Sequence, residues 1–275
     1  MMLIDTHCHL NMMVKHQFDT HLTKTELTKV GTIVQQAHTQ HVTTIITVGT
    51  SLIESKNCIA IAKRYPHIYA TVGLHPNDCT YRWRNDLAKI KELLKKKEEN
   101  KIVGIGECGL DFHWPDYNAQ RQKEAFKEQI ELSLEHNLAL IIHTRDAFEE
   151  TLHVLEEFKG QLKCGVLHCF SADQACANQL INLGLLLGIG GIITYPKNNQ
   201  LRKIVTNTSL EKIVLETDAP WLPPQIARGQ KNHPQYINTI SHYIADLKNV
   251  SFEQIAQQTT SNARTLFQLM VPNNQ

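Results

Sequence analysis

The residues best suited to chemistry in this sequence lie in short clusters. Near the start stands Asp5-Thr6-His7-Cys8-His9. In extended backbone alternate side chains share a face, so His7 and His9 point one way, Cys8 points the other, and the two imidazoles reach one cation. An HxH pair alone is a weak signal, because histidines also serve as hydrogen-bonded turn residues. Later clusters add donors of the same kind: Gly106-Glu107-Cys108-Gly109, Ile142-His143-Thr144-Arg145, Leu167-His168-Cys169-Phe170 and Glu216-Thr217-Asp218. His7, His9, His143, His168, Glu107 and Asp218 together exceed the donor count of one tetrahedral ion. Two divalent ions sharing a carboxylate use them more economically, with Glu107 the candidate bridge. The competing account has buried histidines and acids pairing with one another.

To work together these clusters must be brought to one place, and the order of elements supplies a way. Short β-branched runs at residues 3–5, 43–48, 68–72, 102–105, 139–142, 164–167, 185–189 and 213–215 read as strands. Amphipathic stretches at 27–40, 87–98, 117–136, 148–158 and 173–183 read as helices between them. Eight such strands predict an α/β fold, a (β/α)8 TIM barrel forming a single domain over residues 1–275, with every cluster above following a strand, where barrel enzymes place their active sites. Ser251 and Gln254 are spaced as a capping box that starts the last helix. The charged run Lys95-Lys96-Lys97-Glu98-Glu99 reads as a solvated helix end. Gly104-Ile105-Gly106-Glu107-Cys108-Gly109 satisfies GxGxxG after a strand, but residues 110–115 intervene before any helix and a carboxylate inside the loop repels phosphate, so a dinucleotide site is rejected.

Composition narrows the setting. The chain has 275 residues, 42% of them hydrophobic, and 28 Lys+Arg against 27 Asp+Glu give a net charge of +1. No global positive field gathers nucleic acid, so a polyanion must be held locally. Seven cysteines without a CxxC pair fit buried thiols in a reducing compartment. The N-terminal residues offer neither a charged n-region nor a long apolar stretch, and the most apolar run, residues 183–193, is short and glycine-rich. The expectation is a cytoplasmic protein with no membrane span and no obligate protein partner.

With these clusters in order, the sequence resembles the TatD family of metal-dependent deoxyribonucleases. The resemblance rests on Asp5-Thr6-His7-Cys8-His9-Leu10, Gly73-Leu74-His75-Pro76, Gly106-Glu107-Cys108-Gly109-Leu110-Asp111, Ile142-His143-Thr144-Arg145, His168-Cys169-Phe170-Ser171 and Glu216-Thr217-Asp218-Ala219-Pro220-Trp221-Leu222, which span nearly the whole chain. It implies that His7, His9 and Asp218 bind one metal, that His143 and His168 bind a second, that Glu107 bridges both, and that DNA is the substrate, cleaved exonucleolytically. The chain departs from the family at Ala172, where a glycine is frequent, and at His233, a commonly acidic position in the loop Arg228-Gly229-Gln230-Lys231-Asn232-His233-Pro234. Both departures touch substrate contacts rather than metal binding.

A metal ion lowers the pKa of water from about 15.7 to about 7, worth roughly 12 kcal/mol. Asp218 is then the residue that ligates and orients the attacking oxygen. Glu216, two residues earlier, shares its face if the strand stays extended and is a further candidate base or ligand, against a salt-bridge alternative. His75 is a candidate donor to a phosphate oxygen or leaving group, against a structural role beside Pro76. Arg145 offers a planar fork to phosphate, against pairing with Asp146 or Asp111. Ser171, Lys197, Arg228, Lys231, Trp114 and Trp221 stand on mouth-side loops as weaker candidates. Zinc, manganese, iron or magnesium all suit such ligands. Two other functions fit the same residues: an esterase or amidase acting on a mischarged aminoacyl-tRNA or a lactone, and a catalytically silent barrel that binds nucleic acid.

Overall fold

The computed structural model describes residues 2–162 and 164–269. Eight strands, β1 (Leu3–Cys8), β2 (Val42–Thr47), β3 (Ile68–Val72), β4 (Ile102–Asp111), β5 (Ala139–Arg145), β6 (Gly165–Leu167), β7 (Leu186–Ile189) and β8 (Ile213–Leu215), lie in one sheet in sequence order. Every neighbouring pair is parallel. Just past the strand ends the sheet meets itself: the Asp218 N–H donates to the His7 carbonyl at 2.8 Å and the His9 N–H donates to the Ala219 carbonyl at 2.8 Å. The same contacts that close the barrel therefore set His7 and His9 beside Asp218.

Helices connect the strands: α1 (Leu10–Met13), α2 (Lys24–Thr39), α3 (Leu52–Arg64), α4 (Trp83–Leu94), α5 (Ala119–His136), α6 (Phe148–Glu156), α7 (Gln174–Asn182), α8 (Asn199–Asn207), α9 (Ile237–Lys248) and α10 (Phe252–Phe267). The capping box expected at Ser251 and Gln254 starts α10, and a second one, Thr23 with Glu26, starts α2. Ile141, Val166 and Val214 sit two residues before His143, His168 and Glu216 and so share their inward face. They pack with Ala263, Leu266 and Phe267 of α10 in one apolar cluster. Apolar residues thus fill the barrel, and the polar donors lie one layer further along the same strands.

The fold is the (β/α)8 barrel that the alternation of elements predicts, with differences at its edges. β1, β4 and β5 run past residues 5, 105 and 142, so Glu107 and His143 sit in strands rather than after them. The reason in β4 is its glycines. Gly106 and Gly109 have φ of +132° and +140°, and a Cβ at either would strike the backbone carbonyl oxygen of Ile141 or His143 in the adjoining strand. Glycine, which reads as a break in a strand, here allows two backbones to approach. Because 104–109 is strand, the dinucleotide alternative falls away. α3, α8 and α9 lie outside the predicted helices. In α3 the buried face includes Glu54, Ser55 and Asn57, which interrupts the apolar stripe. The helix expected at 87–98 ends at Leu94, leaving the run at 95–99 in turns, with four of its five residues exposed. No described helix is long and apolar enough to cross a membrane.

Candidate metal centre

Six of the predicted donors converge at the mouth in two groups. In the first, His7 Nε2 lies 3.1 Å from His9 Nε2, 3.4 Å from Glu107 Oε2 and 3.7 Å from Asp218 Oδ1. His9 Nε2 lies 3.6 Å from Glu107 Oε2 and 3.3 Å from Asp218 Oδ1. Donors sharing one ion at about 2.0–2.2 Å stand roughly 3.3–3.6 Å apart in a tetrahedral set. These five separations lie near that value, with His7, His9 and Glu107 forming a compact triad that Asp218 joins beside the two histidines. In the second group Glu107 Oε1 lies 3.0 Å from His143 Nδ1 and 2.9 Å from His168 Nε2, and those two nitrogens are 3.3 Å apart. Glu107 therefore gives one carboxylate oxygen to each group, the geometry expected of a bridge.

Three of the four imidazoles have an oxygen behind them, and His7 Nδ1 makes no hydrogen bond among the described residues. His9 Nδ1 is 3.1 Å from the Val48 carbonyl, an acceptor, which leaves Nε2 as the lone-pair nitrogen facing the group. His143 Nε2 is 3.2 Å from Asp111 Oδ2, so Nδ1 faces Glu107. His168 Nδ1 is 3.6 Å from Glu216 Oε1, so Nε2 faces Glu107. Glu216 also accepts the Cys169 N–H at 2.5 Å, and Gly188 clears the space it occupies, since a Cβ there would strike its carboxylate. Asp111 is fixed in turn by Asn77 Nδ2 at 2.9 Å and by the His113 N–H at 3.0 Å.

The electrostatics fit a cation. The His7 and His168 rings stack at 4.0 Å. Against burial, Asp111 and Glu107 hold the His143 pKa up while Glu107 and Glu216 hold that of His168 well up, so the site favours positive charge beside its acids. Burial and the neighbouring His168 push the His7 pKa down. Burial opposes ionisation of Glu107, yet His168, His7 and His75 outweigh it and hold its carboxyl well below the usual range. Asp218 is held down likewise against burial by the hydrogen bond to His9 and the charges of His168 and His7. Anionic carboxylates interleaved with imidazole nitrogens are a donor set that divalent ions take.

The remaining candidates fall differently. Glu216 does face inward, but not because the strand continues: β8 stops at Leu215 and Asp218 adopts φ +56°, so Glu216 backs His168 rather than standing beside Asp218. His75 borders the second group, Nε2 3.7 Å from Glu107 Oε1, while its Nδ1 accepts the Asn77 N–H at 3.2 Å. Burial and His143 push its pKa down to about 3, so the ring is neutral and Nε2 carries the proton. Arg145 is exposed on the wall of the cavity of about 400 Å³ above the donors. Among the described residues it makes no ion pair, because Asp146 is taken by His113 and Asp111 by His143. Trp114 and Trp221 line the same cavity, whereas Lys197, Arg228 and Lys231 do not. Arg228 lies over Tyr195, and His233 bonds to Gln36 on α2, away from the mouth. Sequence reasoning missed Asp111 as a site residue. The signal was available, since Glu107 and Asp111 are four residues apart and share a face once β4 is seen to continue.

Comparison with known proteins agrees with this arrangement. The family model for TatD related DNase matches residues 4–268. The chain is 36% identical to the uncharacterized metal-dependent hydrolase YabD of Bacillus subtilis, over 98% of this chain and 100% of that one. It is 31% identical to the 3'-5' ssDNA/RNA exonuclease TatD of Salmonella typhimurium, over 86% of this chain and 92% of that one. Its fold superposes on YJJV, a TatD homologue from Escherichia coli, with a TM-score of 0.87 at 29% identity, covering 98% of both. A match that runs from β1 to α10, over a barrel whose mouth gathers four histidines and two carboxylates, means that the chain belongs to the TatD related DNase family of metal-dependent hydrolases.

Proposed function

We propose that the chain is a nuclease that hydrolyses DNA phosphodiester bonds from strand ends, with two divalent ions held one in each donor group. The observation that carries this reading is the division of Glu107 between the groups, Oε2 toward His7 and His9 and Oε1 toward His143 and His168. Ions held there would polarise the phosphate and bring water ionisation to near neutral pH, with a pKa of about 7.

The chain's own residues do the rest. Asp218 enters the first group through Oδ1 and keeps its second oxygen to orient the attacking water and accept its proton. His75, neutral, donates from Nε2 to a phosphate oxygen; a ring that stays unprotonated to about pH 3 acts as a hydrogen-bond donor rather than as a cationic acid. Arg145 places its fork on a phosphate. Asp111 holds His143 in the tautomer that presents a lone pair, and the Glu216 carboxylate stands behind His168 at 3.6 Å. The salmonella relative's name, a 3'-5' exonuclease of single-stranded DNA and RNA, supports strand ends as the substrate.

One observation favours a second reading. Arg145 is the cavity's one Lys or Arg among the described residues, whereas exposed Asp19 and Asp78 stand on its wall. Such a wall suits an amine-bearing ester or amide, an aminoacyl ester included, better than a long polyanion.

The test is cleavage of end-labelled single-stranded and duplex DNA after chelation and stepwise return of magnesium, manganese or zinc, with an aminoacyl ester assayed on the same preparation. Metal-restored DNA cleavage that releases nucleotides from one end is the expected result. Turnover of the ester alone by a metal-loaded protein would transfer the centre to the second reading.

A further inference from the structure

Large apolar side chains left in water are unevenly placed on this barrel. Phe18, Tyr81, Trp114, Tyr117, Trp221 and Ile226 are all exposed, and all stand in segments that follow strands at the mouth; Met2 is the other such residue among those described. Three of them line the cavity over the donors, and one of these, Trp221 at 41% exposure, stands edge-on to the His9 ring at 4.9 Å. The other two are Phe18 at 55% exposure and Trp114 at 50%. They follow β1 and β4, three places apart in a ring of eight, so they approach the mouth from well-separated sides.

Phe18 is not exposed through slackness of its loop. The segment between α1 and α2 is bound to α3 through buried Glu54, whose Oε1 accepts Lys15 Nζ at 2.6 Å and the Asp19 N–H at 2.6 Å. Its Oε2 accepts the side-chain amides of Asn11 at 2.8 Å and Asn57 at 2.9 Å. Lys15 Nζ also donates to the Thr20 carbonyl, which accepts from Asn57 as well. A buried ion pair contributes little net stability, because desolvation offsets most of its attraction, but so fully bonded a pair does fix a conformation. Here the conformation it fixes is one that holds a phenyl ring out over the cavity, one residue from the anchored Asp19 backbone.

We infer that Phe18 and Trp114 form the walls of a slot for a nucleobase at the strand end, and that the Lys15–Glu54 pair is a positioning device holding Phe18 in that slot. The inference rests on the nuclease reading and names the part of the substrate that the rim grips. The donors lie at the bottom of the cavity, so a phosphate brought to them leaves its attached base at the level of the rim. Arg145, whose guanidinium carbon is 5.8 Å from the centre of the Trp114 ring, places a cation beside that wall for the backbone. Every base has a π-face, so such a slot grips without reading sequence, and it requires a base that is already unstacked.

The experiment compares a single-stranded oligonucleotide with the same strand carrying abasic residues at both termini, using the metal-loaded full chain. Wild type is expected to favour the intact strand by on the order of tenfold in kcat/KM. That ratio should collapse toward one in Phe18→Ala and Trp114→Ala, through KM more than kcat, and return in Phe18→Tyr. The double variant Lys15→Met with Glu54→Gln, which removes both charges together, should show the same collapse while its metal content stays at the wild-type level. Equal cleavage of both strands by wild type, or a ratio unmoved by Phe18→Ala, overturns the slot and leaves the nuclease reading standing. A double variant that keeps the wild-type ratio, or loses metal and fold, overturns the positioning role. Failure to cleave either strand with any metal overturns the slot and the nuclease reading together.

Discussion

The two halves of the centre are built to different tolerances. The His7, His9 and Asp218 group sits where the barrel closes, and backbone hydrogen bonds between β1 and the segment after β8 hold its donors in place. With Glu107 it supplies four donors, a compact triad of His7, His9 and Glu107 that Asp218 joins beside the two histidines. The His143 and His168 group has three donors including Glu107 and depends on side chains behind it, Asp111 and Glu216, to turn its rings. It also borders His75 and faces the cavity where Arg145 stands. A closed donor set suits firm retention of an ion, and an open one suits exchange of ligands during reaction. On the proposed reading the first group is the anchor, where Asp218 also turns the water, and the second is the side that meets the phosphate.

The strongest blow to both halves at once is Glu107→Gln. It should leave the folded chain almost free of metal in elemental analysis and abolish the roughly 12 kcal/mol of water activation that metal supplies. One ion per chain retained at full occupancy would show that the halves do not share this carboxylate. Asp218→Asn touches the anchor alone. A fall in kcat of about 10²- to 10⁴-fold is expected, with circular dichroism unchanged and the second group still loaded. Unaltered turnover would remove Asp218 from the mechanism.

Asp111→Asn should reach only the second group, lowering metal affinity there by about 10- to 100-fold in a competition titration with a chelator while the first group titrates as in wild type. Equal weakening of both groups would erase the distinction between them. The smallest effect is reserved for the far end of the barrel. Ser251→Ala removes half of the capping box of α10 and should cost about 1 kcal/mol in denaturant unfolding, with metal content and turnover unmoved. A change in metal binding would mean that the apolar layer beneath the donors transmits strain to them.

Much of this molecule is legible in its sequence. The spacing of β-branched runs and amphipathic stretches predicts the barrel, and residue type predicts the donors, because few other side chains bind divalent ions. The donor count points to a shared carboxylate, for which Glu107 is the candidate. What the sequence obscures has physical causes. Gly106 and Gly109 resemble a loop, yet they are the positions where two strands touch, so the length of β4 and with it the placing of Asp111 are hidden. The polar buried face of α3 masks a helix, and the same Glu54 turns out to tie down the Phe18 loop. Glu216 reads as a neighbour of Asp218 only while the chain is taken as extended, and the turn at Asp218 sends it to His168 instead.

By itself, then, the sequence determines the kind of barrel and the family, and it singles out the side chains whose chemistry suits a metal, since all three follow from local periodicity and from residue type. The tertiary structure alone decides which nitrogen of each histidine faces the centre, how Glu107 is divided between two groups, and what stands at the rim. Those depend on groups brought together from distant strands, at separations of a few tenths of an ångström that no spacing along the chain encodes.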